Sequence, residues 1–172
     1  MSIEYIEIPV LLNQLETSLS ETIEKRKIQD PLLIGIHSGG VWIAEKMHQW
    51  LDIKEPLALL DISFYRDDFS QIGINPKVKQ STLPLSVEGR DIILIDDVFY
   101  TGRTIRAALN EIFDYGRPNQ IILGVLIERD GRQIPLRPDC VGAEVNLAAG
   151  QRIKLTGPEP LDIVIQSMTE EA

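Results

Sequence analysis

Between Pro9 and Arg26 the apolar residues Leu11, Leu12, Leu15, Leu19 and Ile23 recur three or four positions apart, with glutamates and serines between them. That spacing predicts an amphipathic helix, with Pro9 in its first turn. Asp30-Pro31 breaks the chain, and Leu32-Leu33-Ile34-Gly35-Ile36 is a short continuous apolar run, as a strand buried on both faces requires. Gly39-Gly40 ends it, and Val41, Ala44, Met47 and Leu51 return to helical spacing. Leu57 to Ser63 predicts a second strand. Tyr65 to Arg90 holds little periodicity and reads as a long loop, the kind that in compact domains is usually a functional lid or disordered. Ile92-Ile93-Leu94-Ile95 is the strongest strand signal. A helix over Thr104 to Tyr115 follows, with Ile105, Ala108, Leu109, Ile112 and Phe113 on one face; Gly116 stops it and Pro118 prevents its resumption. Ile121 to Ile127 predicts another buried strand.

Strands alternating with helices predict an α/β chain: a central, mostly parallel sheet with helices on both faces. The tail departs from this. Residues 134–145 and 153–165 carry strand-like runs and several prolines but no helical period, which predicts a small appended β-rich region drawn mainly from residues 130–165. No repeat or linker divides the 172 residues, so a single domain over residues 1–172 is expected.

Composition narrows the function. The 44% hydrophobic and 25% charged residues are those of an ordinary globular protein. A formal net charge of -9 argues against a nucleic-acid partner held by the overall field, while leaving room for a local basic patch. Cys140, the one cysteine, excludes an intramolecular disulfide, and His37 and His48 have no second thiol with which to build a zinc site. The amino terminus lacks a signal-peptide pattern and no apolar run reaches spanning length, so no membrane association and a cytoplasmic location are expected.

Candidate chemistry concentrates in Ile92-Ile93-Leu94-Ile95-Asp96-Asp97-Val98-Phe99-Tyr100-Thr101-Gly102-Arg103-Thr104. Apolar strand residues run into two adjacent carboxylates, and a Thr-Gly-Arg-Thr turn then opens a helix. Carboxylates at the carboxyl end of a central strand face the crevice where open α/β sheets bind ligands, and they suit hydroxyls or a metal ion. The turn places backbone N–H groups, two hydroxyls and a guanidinium at a helix amino terminus, a natural phosphate site. Either piece alone is as readily a helix-end charge pair or a common turn. Together, about one sugar apart, they describe a site for a 5-phosphorylated ribose.

This segment resembles the 5-phosphoribosyl 1-diphosphate (PRPP) motif of the type I phosphoribosyltransferases. With Leu60-Asp61-Ile62-Ser63-Phe64-Tyr65-Arg66-Asp67-Asp68, Gly116-Arg117-Pro118 and Leu136-Arg137-Pro138-Asp139-Cys140-Val141-Gly142, the chain from about Leu33 to Leu155 resembles the PyrR family of pyrimidine regulators and uracil phosphoribosyltransferases. The resemblance implies the type I phosphoribosyltransferase fold, in which the β-rich tail is a hood, and transfer of phosphoribosyl from PRPP to uracil, giving UMP and diphosphate. It implies Asp96 and Asp97 at the ribose hydroxyls and organising Mg²⁺, with Arg66 of the long loop as a further catalytic residue. Thr101, Gly102, Arg103 and Thr104 would cradle the 5-phosphate, and Ser38-Gly39-Gly40 would form the diphosphate loop. Better known members carry an arginine where this chain has Gly39, so backbone amides must do more; Lys77 and Lys79, alongside Arg66, are candidate sources of positive charge. The base pocket is assigned to Val98, Tyr100, Cys140 and Val141. Tyr100 stands where purine-specific relatives place an acid, which favours a pyrimidine; for Cys140 the competing reading is plain burial.

The resemblance also implies a homodimer or higher homo-oligomer, and binding of pyrimidine leader mRNA through a basic dimer face. Here Glu16, Glu21 and Glu24 occupy the amino-terminal helix, whose positive charge gathers only at Lys25-Arg26-Lys27. Ala143-Glu144 stands where RNA binders carry a lysine, while Arg132 and Arg137 are retained. The sequence therefore places the enzyme ahead of the attenuator. A metal-dependent phosphohydrolase with Asp96 as nucleophile ranks third, because such enzymes separate their carboxylates and supply a lysine.

Overall fold

The computed structural model describes residues 7–62 and 81–167. In chain order these form α1 (Ile8–Arg26), β1 (Leu32–Ile36), α2 (Gly39–Trp50), β2 (Ala58–Leu60), β3 (Asp91–Phe99), α3 (Arg103–Asp114), β4 (Gln120–Arg129), β5 (Cys140–Val145), β6 (Gln151–Thr156) and β7 (Asp162–Ser167). Five strands make one sheet in the order β2-β1-β3-β4-β5, and every pairing in it is parallel.

The sheet is buried on both faces, which is why its strands read as unbroken apolar runs rather than alternations. On one face Leu33, Ile93, Ile95, Ile122 and Leu126 pack with Leu11, Leu15 and Leu19 of α1 and with Ile43, Ala44 and Met47 of α2. On the other, Leu32, Ile34, Ile92, Leu94, Leu123 and Val125 pack with Ile105, Ala108 and Ile112 of α3. Successive residues of one strand thus serve two cores, as the two-residue period of a strand requires.

The expectation for the tail needs correction in one place. Residues 140–145, taken with the appended β region, form β5, a full strand of the main sheet that pairs with β4 from Gly124↔Cys140 to Arg129↔Val145. The chain reaches it through residues 130–139 without a helix, so the alternation of strand and helix that marks a parallel sheet in sequence is missing at this step. Gly142 explains the close fit of α1 over β5: a Cβ there would lie 2.4 Å from Leu126 O and 2.9 Å from Leu11 O. Only β6 and β7 stand apart, as an antiparallel hairpin that buries Ile153 and Leu155 against the α1–α2 core and rests its turn at Gly157 and Leu161 on Trp42.

The described end of the long loop is tied down. Thr82 N–H donates to Leu59 O (2.8 Å), Leu59 N–H to Thr82 Oγ1 (3.1 Å) and Gly89 N–H to Arg117 O (2.8 Å). Arg66, Lys77 and Lys79 lie outside the described residues. Among the described residues, no helix is long and apolar enough to cross a membrane.

Candidate active site

The site follows from where strand pairing stops. β1 pairs with β3 only as far as Gly35↔Ile95, whereas β4 continues alongside β3 to Phe99↔Glu128. Asp96 to Phe99 therefore keep a strand neighbour on one side and face the first turn of α2 on the other. That turn lies directly against them. A Cβ on Gly40 would fall 2.7 Å from Ile95 O and 2.9 Å from Asp96 Cα, and one on Gly39 would fall 2.1 Å from Asp97 Oδ2. Two adjacent glycines are what allow the helix to start there.

The two carboxylates differ. Asp96 is the buried charged residue of the described chain, 2% exposed, and its Oδ1 accepts the Asp97 N–H at 2.9 Å. Asp97 is half-buried; its Oδ1 accepts the Val98 N–H at 2.9 Å, and its Oδ2 is the atom turned toward Gly39. Asp96 thus holds the backbone of the strand end, and Asp97 is the more exposed carboxylate of the two.

Thr101 to Thr104 form the turn into α3. Gly102 precedes the helix with φ 89°, a left-handed conformation that glycine adopts without strain. Thr101 Oγ1 accepts the Arg103 N–H (3.2 Å). Neither α2 nor α3 has a side-chain cap or an acidic residue in its first turn. The amino-terminal N–H groups of an α-helix lack intrahelical acceptors and carry partial positive charge, so the two ends are electrostatically favourable to an anion and flank the carboxylates.

A brace around the turn from Thr101 to Thr104 left no mark that sequence reasoning could use. The segment from Arg129 to Ile134, which leads out of β4, clasps it. Gln133 N–H donates to Thr101 O (3.0 Å), Arg103 Nε–H donates to Gln133 Oε1 (3.2 Å), and Ile134 covers Gly102 so closely that a Cβ there would lie 2.7 Å from its Cγ1. The Arg129 guanidinium sits 3.8 Å from the centroid of the Tyr100 ring, and the same ring crosses Gly131, where a Cβ would meet Cε2 at 2.2 Å. These contacts are long-range pairings without a local sequence signature.

The four residues expected in the base pocket are not brought together. Val98 and Tyr100 are at the carboxyl edge of β3. Cys140 and Val141 begin β5, two strands away, with β4 between. Cys140 is fully buried, and its thiol donates to Ser18 O (3.5 Å) and Thr22 Oγ1 (3.3 Å) of α1. Burial, the largest influence, pushes that thiol up from its ordinary range. Plain burial is thus the outcome for Cys140, because its position on the α1 face of β5 directs it into the core. Val141 packs against the opposite core.

Two carboxylates suit a magnesium ion only in part. Among the described residues no group of three or more acidic, histidine or cysteine side chains forms a metal cage. Mg²⁺ favours six oxygens and commonly takes one or two carboxylates with phosphate oxygens and waters, a donor set that Asp97 backed by Asp96 fits.

The phosphoribosyl transferase domain model matches residues 4–149. The chain is 50% identical over 163 residues to the bifunctional protein PyrR of Nitrosococcus oceani, covering 94% of this chain and 92% of that protein. It is 50% identical over 159 residues to the bifunctional protein PyrR of Pseudomonas savastanoi pv. phaseolicola, covering 92% and 94%. Among solved structures, a purine phosphoribosyltransferase from Pyrococcus horikoshii superposes with TM-score 0.59 at 20% identity, covering 78% of this chain and 83% of that one. A hypoxanthine phosphoribosyltransferase from Staphylococcus aureus gives 0.61 at 18% identity, covering 81% and 74%. The structures share the fold, while the PyrR proteins share more than nine-tenths of the length at half the aligned positions; the chain belongs to the phosphoribosyl transferase family and, within it, to the PyrR proteins.

Proposed function

We propose that this chain transfers the phosphoribosyl group of PRPP to uracil, releasing diphosphate and forming UMP. The observation that carries this reading is the placement of Asp96 and Asp97 between two helix amino termini free of acidic first-turn residues and side-chain caps. PRPP has the matching layout, with a monophosphate at one end, a diphosphate at the other and a diol between. Thr101 to Thr104 hold the 5-phosphate, Ser38-Gly39-Gly40 the diphosphate, and Asp97 the ribose hydroxyls. The bond from the ribose anomeric carbon to diphosphate breaks, a bond to uracil N1 forms, and the N1 proton passes to solvent. Positive charge develops on the sugar, so the neighbouring carboxylates favour the transition state, and fixed positioning supplies much of the rate. Mg²⁺, when bound, neutralises charge on the departing diphosphate.

The reaction is tested by incubating the chain with PRPP, Mg²⁺ and each common nucleobase. UMP from uracil is the expected product; nucleotide from a purine alone would overturn the base assignment, and phosphate release from simple monoesters would favour hydrolysis.

A second activity, UMP-responsive binding of pyrimidine leader mRNA, is proposed on the strength of the PyrR relatives, which are named bifunctional. In this chain Arg26 is paired with Asp139, and Arg137 with Glu128 at 3.3 Å and Glu144 at 3.9 Å. Lys25 and Lys27 at the carboxyl end of α1, and Arg132 in the segment that follows β4, are then the candidate phosphate contacts. UMP-enhanced, salt-sensitive binding of the cognate leader is expected, and no binding at low salt would eliminate this activity.

A further inference from the structure

We infer that Arg129 is a positioning residue for the 5-phosphate turn, acting through the ring of Tyr100 and linking that turn to the β6–β7 hairpin. The inference rests on the phosphoribosyl transfer proposed above and assigns a role to a side chain outside its motif.

Tyr100 immediately precedes Thr101, so a ring held in place restrains the backbone at the start of the phosphate turn. The ring is 43% exposed and could swing into solvent if left alone. Two contacts hold it: the Arg129 guanidinium lies 3.8 Å from its centroid, and the backbone at Gly131 has no side chain to lift it away. A guanidinium over an aromatic face is attracted by the negative charge of the ring face, the more so where it is desolvated. The guanidinium is itself anchored, because Nη1 donates to Gln151 O at 3.4 Å, the first residue of β6. Its Nε is buried and has no acceptor in the described chain. The stack on Tyr100 supplies an electrostatic partner for the guanidinium plane. Arg129 therefore joins three segments, the strand end it leaves, the phosphate turn through Tyr100, and the hairpin through Gln151.

The test uses the full chain and two readouts: calorimetric binding of ribose 5-phosphate, and steady-state transfer kinetics with PRPP and uracil. Arg129→Met is expected to weaken ribose 5-phosphate binding and raise the KM for PRPP by about tenfold, with the KM for uracil within about twofold of wild type. Arg129→Lys keeps the charge without the plane and is expected to recover part of the loss. Tyr100→Leu, at a position 43% exposed, is expected to reproduce the defect, and the double variant to be no worse than either single one. A raised uracil KM with unchanged PRPP KM in Arg129→Met would overturn the inference by assigning the buried Nε–H to a base oxygen. Independent, multiplying defects in the double variant would overturn it too, as would wild-type affinity for ribose 5-phosphate in all variants. Failure of the wild-type chain to bind ribose 5-phosphate would strike the proposed function itself.

Discussion

Gly39 and Asp97 are in direct contact: a methyl group on Gly39 would fall 2.1 Å from Asp97 Oδ2. The start of α2 and the Asp97 carboxylate therefore cannot be altered separately, because a side chain at position 39 would need Asp97 turned aside. Gly39→Ala is expected to lower kcat/KM for PRPP by about 10²-fold, the usual cost of misplacing a reacting group by about an ångström. Alanine itself favours a helix, so the melting temperature should not fall in proportion. Steady-state kinetics beside a thermal melt check this, and unchanged kinetics would show that Asp97 is free to move.

The two aspartates should separate activity from stability. Asp97→Asn removes the carboxylate proposed to bind the ribose hydroxyls and is expected to cost about 10²-fold or more in kcat/KM. Asp96→Ala leaves the Asp97 N–H without its acceptor and is expected to destabilise the fold by about 1–3 kcal/mol, whereas Asp96→Asn retains an oxygen there and should lose less. Urea denaturation measures the second pair. Equal stability of the two Asp96 variants would count against this division of labour.

Cys140 predicts a dependence on alkaline pH. Its thiol is held up chiefly by burial, with Asp139 adding to the effect and hydrogen bonds to Thr22 and Ser18 opposing it. A raised folded-state pKa gives stability that is present below the unfolded thiol's pKa, about 8.5, and is lost as pH rises toward the folded value. Unfolding free energies should fall above that point, and the Cys140→Ala chain should lack that component of the slope. Native Cys140 should also resist iodoacetamide and react once the chain is unfolded.

Gly142 tests whether β5 is integral to the domain. Gly142→Ala places a methyl group against Leu126 O and Leu11 O and is expected to destabilise the chain by about 1–3 kcal/mol. If residues 140–145 belonged to a loosely attached appendage, melting would hardly change.

How far the structure was legible depended on whether each feature was local. The run from Ile92 to Thr104 states its own geometry, a buried strand, a carboxylate pair and a glycine turn into a helix, and the resemblance it carries is borne out by the domain match and the fold. β5 was misplaced because its connection lacks the helix that announces a parallel crossover. Cys140 was assigned to the base pocket by resemblance, but its facing is decided by the packing of α1 across residues more than a hundred positions away. The brace from Arg129 to Ile134 is made of contacts between distant segments, and nothing in its local composition distinguishes it from an ordinary loop.

The uncapped helix ends have a kinetic consequence. Their pull on an anion is local, fading within a turn, whereas the net charge of -9 acts at longer range. A polyanionic substrate thus meets repulsion during approach and attraction only on arrival. Added salt screens the former more than the latter, so association with PRPP should quicken as ionic strength rises, whereas capture of RNA by surface lysines should weaken. One salt titration would then drive the two proposed activities in opposite directions.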